Sequence, residues 1–229
     1  DAFRMLQRGD VDIMLAGSSE AAITALPYGC FCATRSMSPN EDPQNACRPF
    51  DKNRDGFIMG EGAGIVVLES LNHAVKRGAK IYAEVAGYGN TADAYHFTAP
   101  EPEGDGMRRV MLAALQDAGL EAEKIGYINA HGTSTVLNDK CESLAINKVF
   151  GNHAQDLKIS SIKSMIGHLL AGAGSVEFVA TVLSIFSGML PPTINYKEPD
   201  ADCSLDYVTN GAESIDLYAA MSNSFGFGG

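Results

Sequence analysis

Short apolar runs closed by glycine or an acid alternate with stretches of helical periodicity along nearly the whole 229-residue chain. Residues 11–16, 65–69, 81–88, 125–130, 157–162 and 218–222 read as strands, because each is brief, apolar and bounded by turn formers. Residues 72–77, 106–119, 138–150 and 175–186 carry helical spacing, with Gly119 and Gly151 placed as stop signals. Alternation of this kind predicts an α/β protein whose largely parallel or mixed sheet is covered by helices. In such folds reactive groups gather beyond the carboxyl ends of the strands. Residues 175–186 are apolar nearly all round, so that helix is expected to be buried.

Composition removes several classes of function. Acids outnumber Lys plus Arg by 28 to 17, a net charge of −11, and such a surface repels phosphate backbones, so no nucleic-acid partner is expected. Cys30, Cys32, Cys47, Cys141 and Cys203 are odd in number and form no CxxC pair, which argues against a disulfide framework or a zinc site. Reduced thiols and no secretion are the expectation. The apolar stretch 165–190 is long enough to raise a membrane span, but His168, Glu177 and four glycines within it argue for a core helix instead.

Four polar clusters could carry chemistry. Asp51-x-Asn53-x-Asp55-Gly56 opens like a calcium loop, yet position twelve is Gly62 where a bidentate Glu is needed, so an Asp/Asn-rich turn is the better reading and no metal site is assigned. Gly60-Glu61-Gly62-Ala63-Gly64 precedes a strand, the reverse of the order a dinucleotide loop requires. His131, in Asn129-Ala130-His131-Gly132-Thr133-Ser134-Thr135, follows a strand end; a structural histidine with turn hydroxyls is equally compatible with that segment alone. Lys163 follows another strand end and His168 lies five residues on, near the buried helix, whose N-terminal dipole would keep the imidazole neutral. Glu142 is the expected acid for Lys163. Two histidines and a lysine at consecutive strand ends suit an enolate or oxyanion. No GxSxG elbow supports a hydrolase.

Taken together, Arg48-Pro49-Phe50-Asp51 through Gly64, Asp93-Ala94-Tyr95-His96, the His131 segment, Lys163 to His168, Pro191-Pro192-Thr193-Ile194-Asn195 and Asn223 to Gly229 resemble the β-ketoacyl-acyl-carrier-protein synthases. These are the elongating condensing enzymes of the thiolase fold. The resemblance implies a layered α-β-α-β-α architecture, with residues 1–78 in an N-terminal half, residues 79–229 in a C-terminal half, and both halves incomplete.

It also implies decarboxylative Claisen condensation of an acyl-enzyme thioester with malonyl carrier protein, in fatty-acid or polyketide elongation. His131 and His168 match the histidines that hold the malonyl thioester oxygen, and Lys163 the lysine that organises them, with Glu142 at its partner position. Thr133 and Thr135 match pantetheine contacts, Phe225 a gating phenylalanine, Phe31 an acyl-pocket position and Arg35 a carrier-docking position. The implied partners are acyl carrier protein and a second copy of the chain, with no cofactor beyond the carrier's phosphopantetheine, in a bacterial cytoplasm or an organelle. None of the five cysteines matches the family nucleophile, whose segment would precede Asp1. The chain is therefore expected to be an internal stretch of a longer synthase, inactive alone. The alternatives are a chain-length-factor partner without a working site, and a calcium-binding protein built on Asp51 and Asp55.

Overall fold

A computed structural model describes all 229 residues. The first half contributes helix α1 (Ala2–Arg8), strand β1 (Ile13–Glu20), helices α2 (Ala25–Thr34) and α3 (Pro43–Ala46), strand β2 (Gly62–Glu69) and helix α4 (Leu71–Lys76). Strands β1 and β2 form an antiparallel pair running from Ile13 opposite Glu69 to Glu20 opposite Gly62. The predicted strands at 11–16 and 65–69 fall on this pair with shifted ends. The predicted strand at 81–88 is not one. Its residues pair with no neighbouring strand, and Tyr88 instead donates its N–H to Asp117.

The second half holds α5 (Asp105–Ala118), β3 (Ile125–Asn129), α6 (Val136–Phe150), β4 (Lys158–Ser160), α7 (Lys163–Ile166), α8 (Ala173–Ser187), β5 (Met189–Leu190), β6 (Glu213–Ser214) and β7 (Ala219–Ser222). Helix α5 ends as its sequence requires: Gly119 takes the left-handed conformation and returns its N–H to the last turn. Strands β4, β3 and β7 are hydrogen-bonded in that order and all run parallel. A register irregularity between Ile125 and Tyr127 turns Ile125 and Ile128 to one face and Tyr127 to the other. Ile128 shares one buried cluster with Met111 and Leu115 of α5 and Ile146 and Phe150 of α6. Tyr127 joins Leu190, Val208 and Leu217 on the opposite face. Burial on both faces explains why β3 is a continuous apolar run and does not alternate.

Helix α8 lies between the two sheets, against β1 and β2 on one side and β7 on the other. Its orientation departs from expectation. The residues it buries most deeply are Ala173, Glu177, Thr181 and Ser184, whereas Leu183 and Phe186 are about half exposed. The polar stripe faces inward because a buried ammonium needs a partner there. Residues 170–187 have the length and composition of a membrane-crossing segment, but they comprise a 3₁₀ turn followed by this sheet-packed helix.

Candidate active site

Three parallel strands deliver their following residues to one edge of the sheet. His131 comes two residues after β3, Lys163 three residues after β4, and Asn223 directly after β7. Asn223 continues the ladder by donating its backbone N–H to the Asn129 carbonyl at 2.9 Å. His168 arrives differently. Its N–H donates to the Ile58 carbonyl at 2.7 Å, and its carbonyl accepts from Gly60 N at 2.9 Å, a strand-like clasp ahead of β2. Glycine makes this approach possible: a Cβ on Gly60 would sit 2.2 Å from the Ile166 carbonyl oxygen. The glycine-rich run read from sequence is thus a packing surface for the His168 segment and α8.

Lys163 is fully buried, and all the donors of its ammonium are engaged. It pairs with Glu177, donates to the His131 carbonyl at 2.6 Å, and reaches His131 Nδ1 at 3.3 Å. The acid expected there, Glu142, is elsewhere. Its two oxygens accept the backbone N–H groups of His131 at 2.9 Å and Gly132 at 2.8 Å, and Asn223 donates its side-chain amide at 3.2 Å. Helix α6 aims Glu142 at the loop leaving β3, whereas α8 brings Glu177 to Lys163 at the start of α7. The sequence signal for Glu177 was its isolation, a lone acid within an otherwise apolar helix.

These contacts fix the protonation of both imidazoles. An ammonium has no lone pair, so His131 Nδ1 accepts and its proton resides on Nε2. Leu170 N–H donates to His168 Nδ1 at 3.1 Å, which leaves the second ring in the same tautomer. Burial and then the Lys163 charge hold the His131 pKa well below the usual histidine value. Burial first, and Lys163 second, push His168 down to about 3. Burial, the larger cause, and the Lys163 charge thus suffice to keep His168 neutral. The rings meet edge to face at 84° with centroids 5.3 Å apart. The arrangement offers two uncharged N–H donors close together, backed by a buried cation that cannot itself reach a ligand.

The remaining sequence-derived residues divide into those around the rings and one that is remote. Phe225 stands edge-on to His131 at 5.8 Å. Phe31 of α2 packs on Phe57 at 5.9 Å, and Phe57 packs on His168 at 5.1 Å, so an aromatic chain links α2 to the site. Thr133 and Thr135 share a 2.8 Å hydrogen bond ahead of α6. Arg35 is exposed at the end of α2 and touches none of these groups. The Asp51 carboxylate is buried and accepts the N–H groups of Asn53, Lys197 and Glu198, while Asp55 is bound by Ser38 and Arg48. Those oxygens serve chain folding, consistent with a turn.

All five cysteines are unpaired. Burial pushes the thiols of Cys47 and Cys141 up to about 11 and that of Cys203 to about 12, the opposite of an activated nucleophile. Cys30 and Cys32 are exposed on α2.

Comparison with known proteins gives one consistent result. The family model for the beta-ketoacyl synthase N-terminal domain matches residues 1–74, and that for the C-terminal domain matches residues 82–197. The chain is 54% identical to 3-oxoacyl-[acyl-carrier-protein] synthase 2 of Synechocystis, aligning along its whole length with 55% of that protein. It is 53% identical to the Staphylococcus aureus protein of the same name and spans 57% of it. Among solved structures, the ketosynthase of a type II PKS, in complex with its acyl carrier protein, superposes with a TM-score of 0.97 at 46% identity over the whole chain and 56% of its own. A beta-ketoacyl synthase from Burkholderia phymatum gives 0.94 at 40% identity, covering all of this chain and 55% of that one. The chain thus spans little more than half the length of the curated relatives it matches, has the thiolase-type α/β fold of these ketosynthases, and belongs to the beta-ketoacyl synthase family.

Proposed function

We propose that the protein carrying this chain is a condensing enzyme that extends an acyl thioester by two carbons from malonyl carrier protein. The observation that carries this reading is the pair of neutral imidazoles with their Nε2–H groups free, 5.3 Å apart between centroids. Both donate to the malonyl thioester oxygen. The bond between C2 and the carboxylate breaks, carbon dioxide leaves, and the electron pair becomes an enolate held by the two N–H groups. The enolate carbon then attacks the acyl thioester carbonyl, and the tetrahedral intermediate collapses with expulsion of the enzyme thiolate. Neutral donors suit this sequence because they stabilise the enolate without handing it a proton, which an imidazolium would readily do.

Lys163 fits a positioning role behind His131, since its protons point into the protein. Thr133 and Thr135 suit the pantetheine arm, Phe225 and Phe31 the apolar walls, and Arg35 the acidic carrier. Residues 1–78 and 79–229 then form the two halves of the fold. We place the acyl-accepting thiol outside residues 1–229, because the buried thiols here are held protonated and those of Cys47 and Cys141 are turned to backbone carbonyls, of Lys163 and Pro102. A homodimer working with acyl carrier protein, inside a bacterial cytoplasm or an organelle, completes the reading.

The test is incubation of the complete protein with acyl and malonyl carrier proteins, following carbon dioxide release and the 3-oxoacyl product by mass spectrometry. Product formation supports the proposal. Absence of carbon dioxide release from a folded protein overturns it in favour of a chain-length-factor role.

A further inference from the structure

We infer that Asn223 is a positioning residue that acts on His131 through the carboxylate of Glu142, an assignment resting on the proposed use of His131 as an oxyanion donor. Glu142 is completely buried, yet no lysine or arginine pairs with it. Its charge is held by three N–H donors alone: the backbone of His131, the backbone of Gly132, and the Asn223 side chain. The first two are the peptide groups that set where the His131 ring begins. The third comes from a different strand.

Asn223 is suited to the task by its own placement. Its backbone N–H is fixed to Asn129 at the end of β3, its side chain is buried, and its amide nitrogen faces two acceptors, Glu142 Oε1 and the Met111 sulfur at 3.6 Å. Phe225, which packs on the His131 ring, follows two residues later. One residue therefore ties the strand bearing the aromatic wall to the carboxylate that grips the His131 loop.

The charges around Glu142 make this bond consequential. Asp139, one turn earlier on α6, adds like charge; Tyr207 is neutral; His131 is neutral; and the Lys163 ammonium of α7 is committed to Glu177 of α8. Burial has already pushed Glu142 up to about 7, with the three N–H donors opposing that rise. A protonated carboxyl holds His131 and Gly132 more weakly, because the charge is gone and the oxygen that carries the hydrogen is a poorer acceptor. Removing the Asn223 donor favours that protonated state and loosens the loop at pH values where the wild type holds it.

Residues 131 and 132 form the one His–Gly dipeptide in these 229 residues, so labelling histidine carbonyl carbon and glycine nitrogen gives them a single signal, the Gly132 amide, identified in the complete protein by its loss in His131→Gln. Its titration midpoint is expected to rise by about one pH unit in Asn223→Ala, as befits one lost charge-assisted hydrogen bond. The acid limb of malonyl-carrier decarboxylation should rise equally, with the alkaline plateau little changed. In a Glu142→Gln background the same Asn223 change should produce no further pH shift. If Asn223→Ala lowers thermal stability too far for study, Asn223→Ser serves in its place. Coincident amide midpoints in wild type and variant, or an undiminished shift in the Glu142→Gln background, overturn the inference. A moved amide midpoint in a protein that never decarboxylates malonyl carrier would leave the coupling intact and defeat the functional reading instead.

Discussion

The two imidazoles offer a ligand the same ring nitrogen, Nε2, but are held by opposite means. His131 is braced from behind by charge, with Lys163 and Glu177 on one side and Glu142 on the other. His168 is clasped by backbone, through Ile58 and Gly60, and walled by the ring of Phe57. Charge placed in a dry interior is strong but depends on every partner remaining. Backbone clasps depend on shape, and glycine is what permits the shape. The two sides should therefore fail under different substitutions.

The largest effect is expected on the charged side. Lys163→Met leaves Glu177 buried without its cation, which should cost about 3–5 kcal/mol of stability. Glu177→Leu strands the ammonium in the same way. The double change Lys163→Met with Glu177→Leu should be clearly less destabilising than the two single losses added together, because neither charge remains to be hidden. Denaturant unfolding of the four proteins checks this. Simple additivity would show that the pair is not the brace.

Next comes the ring itself. His168→Ala in the complete protein should slow malonyl decarboxylation by about 10²–10³, the range for loss of one oxyanion donor. Acylation of the enzyme thiol should suffer much less. Burst measurements of acyl-enzyme formation beside carbon dioxide release separate the two steps, and an equal loss in both would remove His168 from the enolate.

On the shape side, Gly60→Ala should cost about 1–3 kcal/mol, because the new methyl meets the Ile166 carbonyl at 2.2 Å and backbone must move. The same variant should slow decarboxylation with little change in the affinity of the pantetheine arm, since Thr133 and Thr135 lie on the other loop. A normal rate with normal stability would mean that the clasp does not place His168.

The sequence exposed the two sides unequally. Strand ends and the spacing from Lys163 to His168 were visible as local patterns, and parallel topology converted them into a shared edge. The partner of Lys163 was not visible, because Glu142 and Glu177 are both acids on neighbouring helices and only the turn of each helix decides which one reaches. Helix α8 misled for a related reason: apolar content suggested uniform burial, while the burial follows the stripe Glu177, Thr181 and Ser184. The segment 81–88 had strand composition, but a strand also requires a neighbour to pair with. The glycine run reads in the wrong order for a nucleotide loop, yet its packing partner lies about a hundred residues away and leaves no local mark.

The smallest effect concerns pH, where the two sides can be compared in one molecule. His168 titrates in the unfolded chain near 6.5 and in the folded protein at about 3, so the unfolded state binds more protons between those values. Stability from this residue is therefore full above pH 6.5 and is lost as pH falls toward 3. Glu142 works in the reverse sense. Its folded value of about 7 lies above the ordinary 4.5, so the folded state holds the extra proton and stability declines as pH rises through that interval. Where the windows overlap, from about 4.5 to 6.5, the two slopes oppose each other, each at most ~1.4 kcal/mol per pH unit. Glu142→Gln should accordingly steepen the loss of stability on acidification within that window, and His168→Gln should flatten it. Urea unfolding at half-unit pH intervals measures both slopes. Identical pH profiles for the two variants would mean that the charge-braced and backbone-clasped sides are not distinguished by proton binding, and the contrast drawn between them would lose its electrostatic half.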